Sequence, residues 1–324
     1  MNTRVVAGPE GLEQAARLLA LGELVALPTE TVYGLGAAAL DPLACAKIFE
    51  AKERPLRDPL IVHLSDLEWL ERLATPTGLA VRLAQAFWPG PLTMVLPRTA
   101  SVPDLVTSGQ DTVALRMSAH PVFRQVAQMY GKPIAAPSAN RFGRISPTTA
   151  AHVMAELAGR IALIVDGGPC VHGLESTIVL VREQGVKILR HGPITRERLS
   201  EYCLIVSEDA DILTPGSMES HYAPRTRLTI SRHLGSGRSE LLDRERMLWP
   251  KKTALLLWSE SGGGFEFVEH LSRGQDLREA AANLYGAMRR LDEAGQDLIV
   301  AEAVPETGLG VAIMERLRKA ASRE

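Results

Sequence analysis

The chain has 324 residues, 46% of them hydrophobic, with 36 basic and 38 acidic side chains and a net charge of −2. That length suits about two domains with sizeable cores, and the balanced charge excludes a global basic field for nucleic acid or anionic membrane, so any RNA contact needs a local patch. Cys45, Cys170 and Cys203 are widely spaced and form no C-x-x-C pair, which indicates neither a zinc site nor a disulfide framework and fits a reducing cytoplasm. The N-terminal stretch carries Glu10 and Glu13 before any long apolar run, and no window reaches the roughly 18 apolar residues of a membrane span, so neither secretion nor membrane insertion is expected.

A first helical period near 10–22 leads into the apolar run ELVALP and the turn PTETVYGLG. Thr29, Thr31 and Tyr33 are spaced by two after that strand, and Gly34 and Gly36 permit close backbone approach to a ligand. Neither G-x-x-x-x-G-K-[ST] nor G-x-G-x-x-G occurs there. A second helix near 42–53 ends in KERPLRDPLIVHL. In a continuing helix Lys52 and Arg54 would point about 200° apart, but Pro55 drives Arg54 out of helical geometry, so the two cations can converge on exposed ground beyond the helix end. Basic caps on the helix dipole are the alternative reading of the same pair. His63 alternates with Val62 on the next strand, where a lone histidine is more often structural than catalytic.

Helical stretches near 78–88, 121–130 and 148–158 alternate with LTMVLP, TVALRM, PIAAPS, ALIVDG, STIVLV and VKILRHG, which predicts an α/β domain with a mixed, largely buried sheet over 1–205. Arg116 lies on one of these strands, and a buried-sheet arginine faces either a structural ion partner or an anionic ligand. In PIAAPSAN the extended chain puts Ser138 and Asn140 on one side at a strand end, where α/β proteins hold ligands. A simple turn after Pro137 is the alternative; Arg141, Arg144 and Ser146 tilt the segment towards anion binding. Ser176 starts a further strand and Arg190 ends another. Residues 206–225, rich in Asp, Ser, Pro and Gly, read as a linker. Over 226–324, the runs RLTIS, TALLLW, FEFVEHL and DLIVAEAV surround a helix with Leu284, Met288 and Leu291 on one face and Gly295 as its stop, which predicts a smaller α/β, Rossmann-like domain. No G-x-S-x-G elbow, H-E-x-x-H pair or matched carboxylates support nucleophilic or zinc hydrolysis.

Taken in order, PTETVYGLG, Lys52-x-Arg54, WPGPLT, VALRM and Ser138-x-Asn140 closely resemble the YrdC-type threonylcarbamoyl-AMP synthase family, and TPGSMESHYAPRTRL with the trailing domain resembles its long two-domain form. The resemblance implies a twisted mixed-sheet catalytic domain and the reaction of L-threonine, bicarbonate and ATP to L-threonylcarbamoyl-AMP and pyrophosphate, which feeds tRNA N6-threonylcarbamoyladenosine formation. It assigns Lys52 and Arg54 as catalytic residues on phosphates and carbamate. Thr29, Thr31, His63, Arg116, Ala136 and Ser176 would surround threonine, with Arg116 on its carboxylate. Asp58, Thr112, Ser138, Asn140, Ser146 and Arg190 would serve ATP beside the cation pair. Magnesium is implied with the triphosphate and needs no dedicated protein ligands. The partners implied are the tRNA threonylcarbamoyl-transfer machinery, with direct tRNA binding at most weak. One departure stands out: Ser217-Met218-Glu219 occupies the linker position where many relatives carry Met-Lys-Tyr, so Glu219 receives no role. The linker, with Met218, His221 and Tyr222, is expected to act as a lid. Two rivals follow from the same residues: an RNA-binding module using Arg54, Arg57, Arg141 and Arg144 as a basic rim, and carbamoyl transfer from another donor, a context whose zinc-type cysteine clusters this chain lacks.

Overall fold

The computed structural model describes residues 2–207, 212–214, 222–231, 233–234, 239–259 and 264–322. The chain divides into two compact units, the first made of Met1–Phe142, Ser146–Val171 and Glu175–Ser217, the second of Gly143–Ile145, His172–Leu174 and Met218–Glu324. Most of the linker expected over 206–225, with Met218, Glu219 and His221, lies outside the described residues.

In the first unit the strands are β1 (Arg4–Ala7), β2 (Val25–Leu27), β3 (Gly34–Ala38), β4 (Ile61–His63), β5 (Leu92–Pro97), β6 (Thr112–Arg116), β7 (Ile134–Ala135), β8 (Leu163–Asp166), β9 (Thr177–Val181) and β10 (Val186–Arg190). They form one mixed sheet in the order β1-β8-β2-β3-β7-β4-β6-β5-β9-β10. Its middle strands are buried on both faces, which is why ELVALP and TVALRM read as nearly continuous apolar runs. The pairing matters for function at β4 and β6, which run parallel with His63 opposite Arg116.

Gly34 and Gly36 lie in β3, closely packed on its neighbours. A Cβ on Gly34 would lie 3.2 Å from Ala136 Cβ, and one on Gly36 would lie 3.2 Å from Ile134 Cγ2 and 3.3 Å from the Val25 carbonyl. Both glycines thus meet neighbouring chain segments closely, and a side chain at either would crowd them.

Helix Pro42–Lys52 starts on Asp41, whose carboxylate accepts from Leu43 N at 2.9 Å and Ala44 N at 3.3 Å, with proline in the first turn. It stops because Glu53 adopts the left-handed region at φ 55, ψ 38. Glu53 N then bonds Glu50 O and Arg54 N bonds Phe49 O, the paired closure of a Schellman end. The reversal that separates Lys52 from Arg54 thus occurs at Glu53, ahead of the Pro55 effect expected from sequence. Buried Ile48, Phe49 and Cys45 fasten this helix to the main core beneath it.

The second unit holds β11 (Arg227–Ser231), β12 (Thr253–Leu257), β13 (Val268–His270) and β14 (Leu298–Glu302), all parallel in the order β11-β14-β12-β13. Helix Leu277–Glu293, capped by Asp276, buries Leu284, Met288 and Leu291 as the periodicity predicts. Tyr222 is buried there, stacked on Tyr285 at 5.8 Å with the Arg316 guanidinium 5.1 Å from its ring centroid. Tyr222 is therefore part of this unit's core.

Candidate active site

Lys52 and Arg54, expected to be exposed, are both buried. Lys52 Nζ donates to the carbonyls of Ser138 and Asn140, and Phe142 N returns a bond of 2.8 Å to Lys52 O. The cation pair and the Ser138-x-Asn140 segment are therefore brought together, as the sequence suggested. Burial drives the Lys52 ammonium well below the ordinary lysine range and the positive charge of Arg54 adds to the effect, while Asp58 and Glu156 oppose it. Arg54 donates through Nε to Asp58 O at 3.0 Å and through Nη2 to Pro59 O at 2.7 Å, and Nη2 lies 2.9 Å from the Asp58 carboxylate. Asp58 thus acts on Arg54, fixing the direction of its guanidinium. Asn140 is buried, and its amide donates to Arg141 O at 2.8 Å. Ser146 is fully buried, and its Oγ has no hydrogen-bond partner among the described residues.

A second cluster forms around Arg116. Its Nη2 lies 2.7 Å from Glu30 Oε1, its Nε donates to Gly90 O at 3.3 Å, and the Ser118 hydroxyl donates to the other Glu30 oxygen. Burial alone would raise the Glu30 carboxyl, but Arg116 and Ser118 outweigh it and hold the group at about 2. Of the two readings of a buried-sheet arginine, the structural ion pair is present: Arg116 binds Glu30 through Nη2 and Gly90 through Nε, and Nη1 has no hydrogen-bond partner among the described residues. Glu30 was missed in the sequence, although a buried arginine on β6 demanded a counter-ion and Glu30 lies between the two threonines already singled out.

Thr29 and Thr31 hydroxyls lie 2.8 Å apart, and Thr29 Oγ1 donates to Val32 O at 2.6 Å while accepting from the amides of Thr31 and Val32. That local network shapes the turn in which Glu30 sits. His63 packs 4.7 Å from Phe123, and its buried Nδ1 has no hydrogen-bond partner among the described residues. Burial, and then the charge of Arg116, push its pKa down to about 3, so near neutral pH it is an uncharged imidazole.

Ser176 Oγ meets Thr93 Oγ1 at 2.7 Å, and Arg190 donates to Ser176 O and Oγ, both at 3.0 Å. Arg190 therefore braces Ser176, a residue expected to serve the other substrate. Thr112, half-buried at the start of β6 opposite Pro97, makes no hydrogen bond to another candidate residue among those described. The basic rim expected for RNA loses Arg54, which is buried on Asp58, while Arg141 stays half-exposed and pairs with Glu53 at 2.6 Å.

Against known proteins, a family profile described as "Telomere recombination" (Sua5, YciO and YrdC) matches residues 17–192, and one described as "Threonylcarbamoyl-AMP synthase, C-terminal domain" matches 194–322. The threonylcarbamoyl-AMP synthase of Bacillus subtilis (strain 168) is 43% identical over 96% of this chain and 92% of its own, and that of Pyrococcus abyssi (strain GE5 / Orsay) is 41% identical over 94% and 92%. The crystal structure of P. abyssi Sua5 complexed with L-threonine superposes with a TM-score of 0.88 at 39% identity, covering 99% of this chain and 98% of that one.

Proposed function

From the chain's membership of the two-domain Sua5/YciO/YrdC family of threonylcarbamoyl-AMP synthases, to which it belongs, we propose that it converts L-threonine, bicarbonate and ATP to L-threonylcarbamoyl-AMP and pyrophosphate, as a nucleotidyltransferase. The observation that carries the proposal is the buried Lys52 ammonium binding the Ser138 and Asn140 carbonyls, which joins a cation corner to a polar strand exit in the unit that also holds Arg116 and His63.

Threonine amine and bicarbonate combine to a carbamate with loss of water, and a carbamate oxygen then attacks the α-phosphate and expels pyrophosphate. The nucleophile belongs to the substrate, so the protein's task is alignment and charge stabilisation. The Nη1 of Arg116 suits the threonine carboxylate as a charge-assisted donor. Neutral His63 offers its Nδ1 lone pair to a hydroxyl or amine of the same substrate, and Thr29, Thr31, Ala136 and Ser176 complete that pocket. Lys52 and Arg54 stand for the phosphate charge, Ser138, Asn140 and Ser146 for the nucleotide, with Asp58 and Arg190 as braces and Thr112 at its edge. The Ser146 hydroxyl, which has no hydrogen-bond partner among the described residues, is a group that a bound ligand would satisfy.

Among the described residues no cluster of three or more His, Cys, Asp or Glu is placed to hold a metal. Magnesium is proposed as the ion ATP brings, held by phosphate oxygens and water, and no step above passes through it. No helix among the described residues is long and apolar enough to cross a membrane. A cytoplasmic setting, with the product passed to tRNA threonylcarbamoyl transfer, completes the proposal. Incubation with threonine, bicarbonate, ATP and magnesium should yield threonylcarbamoyl-AMP by mass spectrometry, with pyrophosphate release dependent on both threonine and bicarbonate. Salt-sensitive RNA binding without ATP consumption would overturn it.

A further inference from the structure

Glu53 carries a conformation that a glycine would adopt at no steric cost, φ 55 and ψ 38, at the αL position ending helix Pro42–Lys52. Its carboxylate bridges two arginines, Arg141 at 2.6 Å and Arg160 at 2.7 Å, and Arg160 also donates to Ala51 O at 3.2 Å. Arg141 is the residue after Asn140, and its carbonyl receives the Asn140 side-chain amide. The Asn140 side chain thus bonds the backbone of the residue whose guanidinium Glu53 holds. On the inner side, Lys52 Nζ and Lys52 O bind three backbone groups of the same segment, at Ser138, Asn140 and Phe142.

We infer that Glu53 is a positioning residue whose carboxylate, by holding Arg141, clasps the Ser138–Phe142 segment onto the Lys52–Arg54 corner, so that the nucleotide-facing polar groups and the cations form one preassembled surface. The inference rests on the nucleotide assignment proposed above and adds to it a residue in contact with neither substrate. A strained backbone kept at a functional corner is explained by what its side chain does there. Because the Glu53 side chain is half exposed, removing it leaves no buried charge behind, and the variants should fold.

Glu53→Gly keeps the left-handed turn while deleting the carboxylate, which separates backbone from clasp. Its melting temperature should equal or exceed that of the parent, whereas hydrogen exchange at the Phe142 amide should accelerate. KM for ATP should rise about three- to tenfold, the scale of one or two exposed ion pairs, with KM for threonine within about twofold of the parent. Arg141→Ala should reproduce the ATP effect, and the double variant should be no worse than either single one. Parent-like ATP KM and Phe142 exchange in Glu53→Gly, or equal changes in both KM values, would overturn the inference. A parent chain that makes no threonylcarbamoyl-AMP would refute the functional proposal alone, because Phe142 exchange and calorimetric ATP affinity still decide the clasp.

Discussion

Glu30 and Arg116 are 8% and 4% exposed at the side chain, so the pair is deep enough that removing one partner is costly. Breaking a buried pair from one side typically costs about 3–5 kcal/mol. Arg116→Met is accordingly expected to lose that much in urea unfolding, and Glu30→Gln/Arg116→Met to recover most of it. Neither variant should regain threonine affinity, because a lost charge-assisted carboxylate contact is worth about 1.5–3 kcal/mol, roughly ten- to hundredfold in Kd. Calorimetry would check this, and threonine binding restored in the double variant would assign Arg116 a purely structural role. Acid sensitivity follows from the same cluster. His63 sits at about 3 when folded against 6.5 when unfolded, so below 6.5 the unfolded chain takes up a proton that the folded site refuses, and stability falls as pH drops towards 3. Glu30, at about 2 against 4.5, contributes stability above 4.5 that is lost between 4.5 and 2. Unfolding free energies measured across pH should show His63→Phe flattening the upper part of this limb while the lower part remains.

The elements around the site end where they do because of short-range chemistry. Asp41 and a first-turn proline start the helix that carries Lys52, and an αL glutamate ends it. At β9 the start is set by close approach: a Cβ on Gly192 would lie 2.5 Å from Thr177 N and 2.6 Å from Glu175 O, both backbone atoms that cannot swing aside. Gly192→Ala should therefore cost about 1–3 kcal/mol by overpacking and displace Ser176, which precedes β9. The expected kinetic signature is a raised KM for threonine with a smaller change for ATP. An unaltered threonine KM in a measurably destabilised variant would remove Ser176 from the threonine pocket.

Across the whole molecule, the division into units is not a cut at a single point of the chain. Gly143–Ile145 and His172–Leu174 belong to the second unit although they precede the linker, and Ala223 N bonds Gly143 O at 2.9 Å within it. Ending the chain after residue 206 would leave those two segments without the rest of their unit, and the first of them separates Asn140 from Ser146. Such a truncation should keep a folded first sheet that binds threonine, yet lose ATP affinity and product formation together. Calorimetry with each substrate would check it. A truncated chain that makes and retains threonylcarbamoyl-AMP as well as the full one would show that the linker and second unit serve neither as cover nor as support.

Much of this was already legible in the residues. Apolar runs of strand length, helical periods and the paired spacings Lys52-x-Arg54 and Ser138-x-Asn140 are local signals, because propensity and alternation act over a few residues. They marked the α/β alternation, the helix before the cation pair and the polar strand exit. What only the tertiary structure decided are the facts that depend on residues far apart in sequence. Strand order put His63 beside Arg116, the counter-ion of Arg116 came from Glu30 86 positions earlier, and Lys52 bound carbonyls 86 and 88 positions away. GLGAA forms β3 against neighbouring segments that leave no room for a side chain at Gly34 or Gly36, a fit that the turn-like PTETVYGLG does not announce. The energy of burying a charge is settled by whichever partner the fold brings within about 3 Å, and no local pattern in the chain contains that distance.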